Sequence, residues 1–300
     1  MKYSSILSAV SLISLPSIVY ALPSRRDGAT SIGILEFALT LEHLENAFYG
    51  RMLTKFSQED FAKAGYPEWV RNRIEQIAGH EQTHVEFLSS ALSAAGTKAT
   101  QPCEYEFPCN NVQSCLELSN ALETVGTSAY TGAIKFISEP GYVTAAGSIL
   151  ATEARHSSWI GSAALQSYPW STSFEADLTA NQIFTIAASF IKKCPPENPA
   201  LIARPFPALA VSHPIPGKSA KFSFELPKDS SNHGKPLFVA FITGIETHFS
   251  RLNGKGEAMV PEGLIGTVFA IVTNDESKAT DEATVAGPAV LMFPYDSRGN

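Results

Sequence analysis

A Glu-x-x-His pair occurs twice in this chain, at Glu81–His84 and at Glu153–His156. On a helix, residues three apart are neighbours, so each pair presents a carboxylate and an imidazole on one face. Two such helices can share a site for two metal ions when two partner helices each add an inward carboxylate. The chain must therefore supply two further glutamates on two further helices.

The helices are legible from apolar spacing. From Ser31 to about Leu53, apolar residues at 34, 37, 38, 41, 44, 48 and 52 form a helical stripe. A polar connection ends at Gly65-Tyr66-Pro67, and Pro67 suits a helix start, giving a second helix to Ala95 with Gly96 as its C-cap. Thr97 to Asn111 reads as a loop, long enough to cross between helix pairs. A third helix is predicted from about Val112 to Ile137, where Glu139-Pro140-Gly141 breaks it. A fourth runs from about Tyr142 to Gln166, and a fifth from about Phe174 to Lys193.

The first and third helices hold the missing carboxylates. Glu42 is followed by Tyr49, and Glu123 by Tyr130, each seven residues on; two turns return the chain to the same face. The two halves thus read as a duplicated unit. The predicted metal ligands are Glu42, Glu81, His84, Glu123, Glu153 and His156, with Glu81 and Glu153 bridging. Tyr49 and Tyr130 are placed to donate hydrogen bonds to ligand carboxylates from outside the ligand set. Glu45 rivals Glu42, which is preferred for the register it shares with Glu123. Glu36 is less well placed, and Glu117 reads as solvated. His43 and His80 each adjoin a predicted ligand, so they point about 100° away, as outer partners or surface groups. His213, His233 and His248 show no metal spacing.

Four opposed carboxylates in a core would cost several kcal/mol each if charged and unpaired, on the order of the penalty for any buried ion. Two divalent cations offset those four charges, and a carboxylate–imidazole set suits iron or manganese better than thiolate-bound zinc or copper(I). The bland alternative is that these are solvated helix faces, where carboxylates and histidines usually sit.

Beyond the helices the composition changes. Residues 195–217 hold seven prolines and read as an extended linker. From about 218 to 300 the pattern turns to strands: Phe222, Phe224 and Leu226 alternate with polar residues. Leu237–Thr243, Thr267–Thr273 and Ala289–Phe293 are β-branched or apolar runs. The expected fold class is α+β: an antiparallel four-helix bundle plus a fifth helix over 30–194, then a small C-terminal β-domain, an antiparallel sheet or sandwich. Net charge is −7 with no Lys/Arg cluster, which argues against nucleic acid or an anionic membrane as partner. Lys2, the apolar run Ile6–Val19 and the small-residue site at Ala21 read as a secretory signal over 1–21, leaving no membrane segment after cleavage. Arg25-Arg26 could mark a further processing site. Cys103, Cys109, Cys115 and Cys194 are even in number, as two disulfides in a secreted chain would require, with three pairings open.

The paired Glu-x-x-His and Glu–Tyr motifs resemble the ferritin-like superfamily of dimetal carboxylate proteins. More narrowly, ALTLEHLENAFY, the Pro-rich exit, LIGTVF (264–269) and AGPAVL (286–291) resemble a secreted fungal branch whose members carry names for stress, starvation or late sexual development. Plant desiccation-related proteins are similar. The resemblance implies a ferritin-like bundle and a dimetal site; with the donor chemistry, the first reading is two divalent ions, iron or manganese, meeting a small oxidant such as oxygen or peroxide as partner. The resemblance also implies an extracellular or cell-wall location, but no settled reaction. The competing expectation is a non-catalytic stress or developmental protein whose metals, if any, only staple the bundle.

Overall fold

The computed structural model describes residues 31–296 and Arg298; the predicted signal segment and Arg25-Arg26 lie outside them. Among the described residues, six α-helices precede or interleave with antiparallel sheets, an α+β arrangement. Four long helices carry the predicted site: α1 (Ser31–Lys55), α3 (Glu68–Ala94), α4 (Val112–Ala133) and α5 (Pro140–Trp159). Between α1 and α3 the polar connection holds a short helix, α2 (Gln58–Lys63), started by a capping box between Ser57 and Asp60. Helix α4 starts with the same device, Asn111 with Ser114, and α5 with Pro140 in its first turn.

Several boundaries depart from the sequence reading. Helix α4 tightens into a 3-10 turn at Ile134–Phe136, and α5 passes into a π-type turn at Ile160–Ala164. The fifth predicted helix is much shorter, α6 (Ala180–Ala188). Thr179 caps it in a capping box with Gln182, which fixes its start. The chain before it is non-helical and held against α4, where Leu178 N–H donates to the Ser128 carbonyl at 3.4 Å. A β-carbon at Gly132 would overlap the Leu178 carbonyl, so α4 needs glycine there. After α6, the strand β2 (Ile191–Lys193) pairs antiparallel with β1 (Glu104–Tyr105) inside the predicted loop. Cys103–Cys194 fastens that pair, and Cys109–Cys115 ties the preceding loop to the first turn of α4.

The C-terminal strands form two antiparallel sheets. One has the order β3 (Ala210–Ser212), β4 (Ser219–Ser223), β7 (Glu257–Met259), so pairing begins inside the predicted linker. The other has the order β6 (Glu246–Arg251), β5 (Phe238–Thr243), β8 (Gly266–Thr273), β9 (Thr284–Phe293). The uninterrupted apolar runs of β5 and β8 are explained by burial of both faces of the larger sheet. Val239, Phe241, Val268 and Ala270 pack towards Phe222 and Ala258 of the smaller sheet. Their alternates Ala240, Ile242, Phe269 and Ile271 join the same core as Phe37, Leu44, Leu116 and Ile183. The β region is therefore not a detached lobe but the second wall of the helical core. Polar ties reinforce the contact: the cap residue Thr179 and Asn181 of α6 donate to Asp281 at 2.5 and 2.9 Å, and buried Gln182 donates to the Ala279 carbonyl.

Candidate metal centre

Helices α1, α3, α4 and α5 each turn one or two of the predicted ligands to a common point. Glu42, Glu81, Glu123 and Glu153 are buried to within 1% of full burial, and His156 is buried as well. His84 is a little more open, its side chain 12% exposed. Two donor sets result, one of Glu42, Glu81, His84 and Glu153, the other of Glu81, Glu123, Glu153 and His156. Within each set, one donor atom per residue lies inside 4.8 Å of all the others. Glu81 and Glu153 belong to both.

Both imidazoles present Nδ1 to the cluster. His84 Nδ1 stands 3.2 Å from Glu42, 3.1 Å from Glu81 and 3.3 Å from Glu153. His156 Nδ1 stands 3.1 Å from Glu123 and 3.2 Å from Glu81. The tyrosines cross over between the halves: Tyr130 on α4 donates to Glu42 Oε1 of α1 at 2.5 Å, and Tyr49 on α1 donates to Glu123 Oε1 of α4. Tyr49 also meets Ser119 Oγ at 2.7 Å, a partner that no sequence motif signalled. His80 adjoins the cluster from outside, its Nδ1 2.8 Å from His156 Nε2. His43 turns away, with Nε2 on the Thr100 carbonyl at 2.9 Å.

Glu45 is as striking for burial as Glu42, yet it stands outside both donor sets. Its carboxyl lies against Gly126, where an added β-carbon would come 3.0 Å from both Glu45 Oε1 and Glu153 Oε2. The signal for it was in the sequence: Gly126 stands three residues after Glu123, as Glu45 stands three after Glu42. Glu36 is only partly buried and takes no part, while Glu117, His213, His233 and His248 are exposed.

The electrostatics are those of too many carboxylates for the protons and imidazoles available. Burial, followed by repulsion from Glu153 and Glu81, outweighs the His84 hydrogen bond and raises Glu42 to about 8. Burial and neighbouring carboxylates likewise push Glu45, Glu123 and Glu153 well above the usual range. Burial opposes ionisation of Glu81 too, but hydrogen bonds to His156 and His84 overcome it and lower it to about 2. For His84 burial disfavours the charge, and Glu153, Glu42 and Glu81 more than compensate, raising it to about 12. Glu153 Oε2 is buried without accepting a hydrogen bond, and Glu81 Oε1 and Glu153 Oε1 meet only an imidazole Nδ1, at 3.2 and 3.3 Å. Buried lone pairs left so are costly unless a cation takes them. The donor chemistry, the shared carboxylates and the orphaned oxygens fit two divalent ions.

Among the described residues no helix is long and apolar enough to cross a membrane. A relative from Schizosaccharomyces pombe, Protein rds1, is 29% identical over 322 aligned positions, covering 85% of this chain and 79% of that protein. A crystal structure of a conserved hypothetical protein from Mycobacterium tuberculosis is similar at a TM-score of 0.39 and 18% identity, over 45% of this chain and 97% of that one. Residues 30–166, which contain all four long helices and every one of these carboxylates and imidazoles, match the family model of the ferritin-like domain.

Proposed function

We propose that the chain is a secreted ferritin-like protein whose four long helices form an antiparallel bundle around two iron or manganese ions, and that it reacts with dioxygen or peroxide in a stress or developmental setting. The observation that carries this reading is the sharing of Glu81 and Glu153 between two donor sets, each completed by one imidazole and one further glutamate. One ion would be held by Glu42, Glu81, His84 and Glu153, the other by Glu81, Glu123, Glu153 and His156. When bound, two ferrous ions supply one electron each, which with two protons takes dioxygen to hydrogen peroxide.

The remaining residues hold and shield the site. Tyr130 donates a hydrogen bond to one oxygen of Glu42 and Tyr49 to one oxygen of Glu123, leaving the other oxygen of each for a cation. With Nδ1 of His156 offered to a metal, Nε2 keeps the proton and its N–H donates a hydrogen bond to His80 Nδ1, which fixes the ring. Burial of the carboxylates keeps bulk water away. The two disulfides agree with an oxidising compartment.

The test is metal content per chain, by plasma mass spectrometry, on secreted protein purified without chelators. About two iron or manganese ions per chain are expected from the two donor sets, and their loss in Glu153→Ala/His156→Ala. No metal in either protein would refute the reading and favour a non-catalytic structural role.

A further inference from the structure

The four long helices also enclose a slim apolar well beside the cluster, formed by the first halves of α1 and α5 and the second halves of α3 and α4. On each helix a lining residue stands one or two turns, or less, from a site residue. Leu41 adjoins Glu42, Leu88 lies one turn beyond His84, Tyr130 two turns beyond Glu123, and Ile149 one turn before Glu153. Tyr130 is the link to the cluster, since its hydroxyl holds Glu42. Ala38, Ala129, Ala133 and Ala146 line the same space. A core that needed only to be packed would fill such positions with larger side chains.

We propose that this well is the route by which dioxygen reaches the carboxylate–imidazole cluster. The inference rests on the dimetal reading and adds the identity of the oxidant. Of the lining side chains, only Tyr130 and Tyr142 carry a polar atom, and the Tyr130 hydroxyl is already engaged by Glu42. Water and hydrogen peroxide lose hydrogen bonds on entering such a space, whereas dioxygen, small and apolar, loses none. The space, about 30 Å³, has room for a molecule of the size of dioxygen.

Dry apolar cavities take up xenon, which serves as a probe for dioxygen. Crystals of the metal-free protein under xenon pressure should show the gas between Tyr130 and Ala146, and Ala146→Phe should remove it. In ferrous-loaded protein, Ala146→Phe should slow oxidation by dioxygen roughly tenfold while leaving oxidation by hydrogen peroxide and metal content unchanged, as expected when only an apolar passage is blocked. Ala133→Leu, at a half-buried position, is the milder variant should the phenylalanine disturb folding. Absence of xenon from the wild-type well would overturn the inference. So would wild-type dioxygen kinetics in a folded, metal-replete variant, or equal slowing with both oxidants. Failure to bind metal would refute the parent reading, and the route with it; metal bound without a xenon site refutes the route alone.

Discussion

Glu153→Gln should stabilise the metal-free protein and destabilise the metal-loaded one. Glu153 Oε2 is buried without a hydrogen bond, Oε1 meets only His84 Nδ1 at 3.3 Å, and burial together with Glu81 and Glu123 raises its pKa well above 4.5. A carboxyl kept neutral in the fold costs about 1.4 kcal/mol for each unit by which the solution pH exceeds its unfolded value. From 4.5 to pH 7 that cost is at most about 3 kcal/mol. Glutamine has the same shape and carries no such cost. At about 2–4 °C per kcal/mol for a chain approaching this size, the metal-free variant should melt above wild type by up to roughly 6–12 °C at pH 7, and level with it near pH 4.5.

Metal reverses the order. An ion at a thousandfold excess over its dissociation constant adds about 4 kcal/mol to the fold that binds it. Glutamine removes one of the two carboxylates common to both donor sets, so the variant should forgo most of that gain. Scanning calorimetry of both proteins, stripped and with added manganese, provides the four melting points. The reasoning fails if the stripped variant melts below wild type at pH 7, or if manganese raises both proteins equally.

Removing the Tyr130 hydroxyl with Tyr130→Phe leaves Glu42 Oε1 buried without its donor, at a cost of about 1–3 kcal/mol, and should speed metal loss to a chelator; unchanged retention would count against its holding Glu42. The metal-free protein should melt higher at pH 5 than at pH 8. Glu42, raised to about 8, and His84, raised to about 12, contribute stability that is whole below their unfolded values and lost as pH rises through the folded ones. Glu81, lowered to about 2, has the opposite sign, and its contribution is lost only as pH falls from 4.5 through that value. Metal retention should run the other way and strengthen from pH 5 to 8, since the ions displace protons; thermal melts and chelator competition across that range read both slopes. Cys103→Ala/Cys194→Ala opens a closure of 91 residues, worth about 4–5 kcal/mol in the chain-entropy picture, against about 2 for the Cys109–Cys115 loop; comparing the two double variants by denaturant midpoint tests that order.

What the sequence made legible was whatever repeats at helical spacing. Glu42 and Tyr49, like Glu123 and Tyr130, share a face because two turns span seven residues, and that arithmetic holds inside any straight helix. It weakens where tertiary contacts override local pattern. Phe174–Leu178 has apolar content enough for a helix, but the approach of Leu178 to Gly132 keeps it non-helical, and α6 begins only where Thr179 can cap it. Likewise, nothing local in 195–217 reveals that residues 210–212 pair with β4, because strand pairing depends on a partner distant in sequence. The apolar runs of β5 and β8 did carry a hint of burial on both faces, though periodicity could not say that the second face would be covered by helices.

The duplication explains the site's symmetry, and its departures mark where the two halves differ in chemistry. Glu42 corresponds to Glu123 and Tyr49 to Tyr130, and each tyrosine serves the glutamate of the other half. Three residues on, the correspondence breaks: Glu45 in one half faces Gly126 in the other. A side chain at 126 would contest the space of the Glu45 and Glu153 carboxyls, so the fifth buried glutamate depends on the missing β-carbon. His80 breaks the symmetry again, because it precedes Glu81 and supports His156, while Thr152 precedes Glu153. The two donor sets, alike in composition, therefore sit in unlike surroundings. His156 is buried and held by a second imidazole; His84 is more exposed and stands among three carboxylates. Two ions bound there would differ in how tightly they are held, because the groups behind the ligands set ligand orientation and basicity as much as the ligands themselves do.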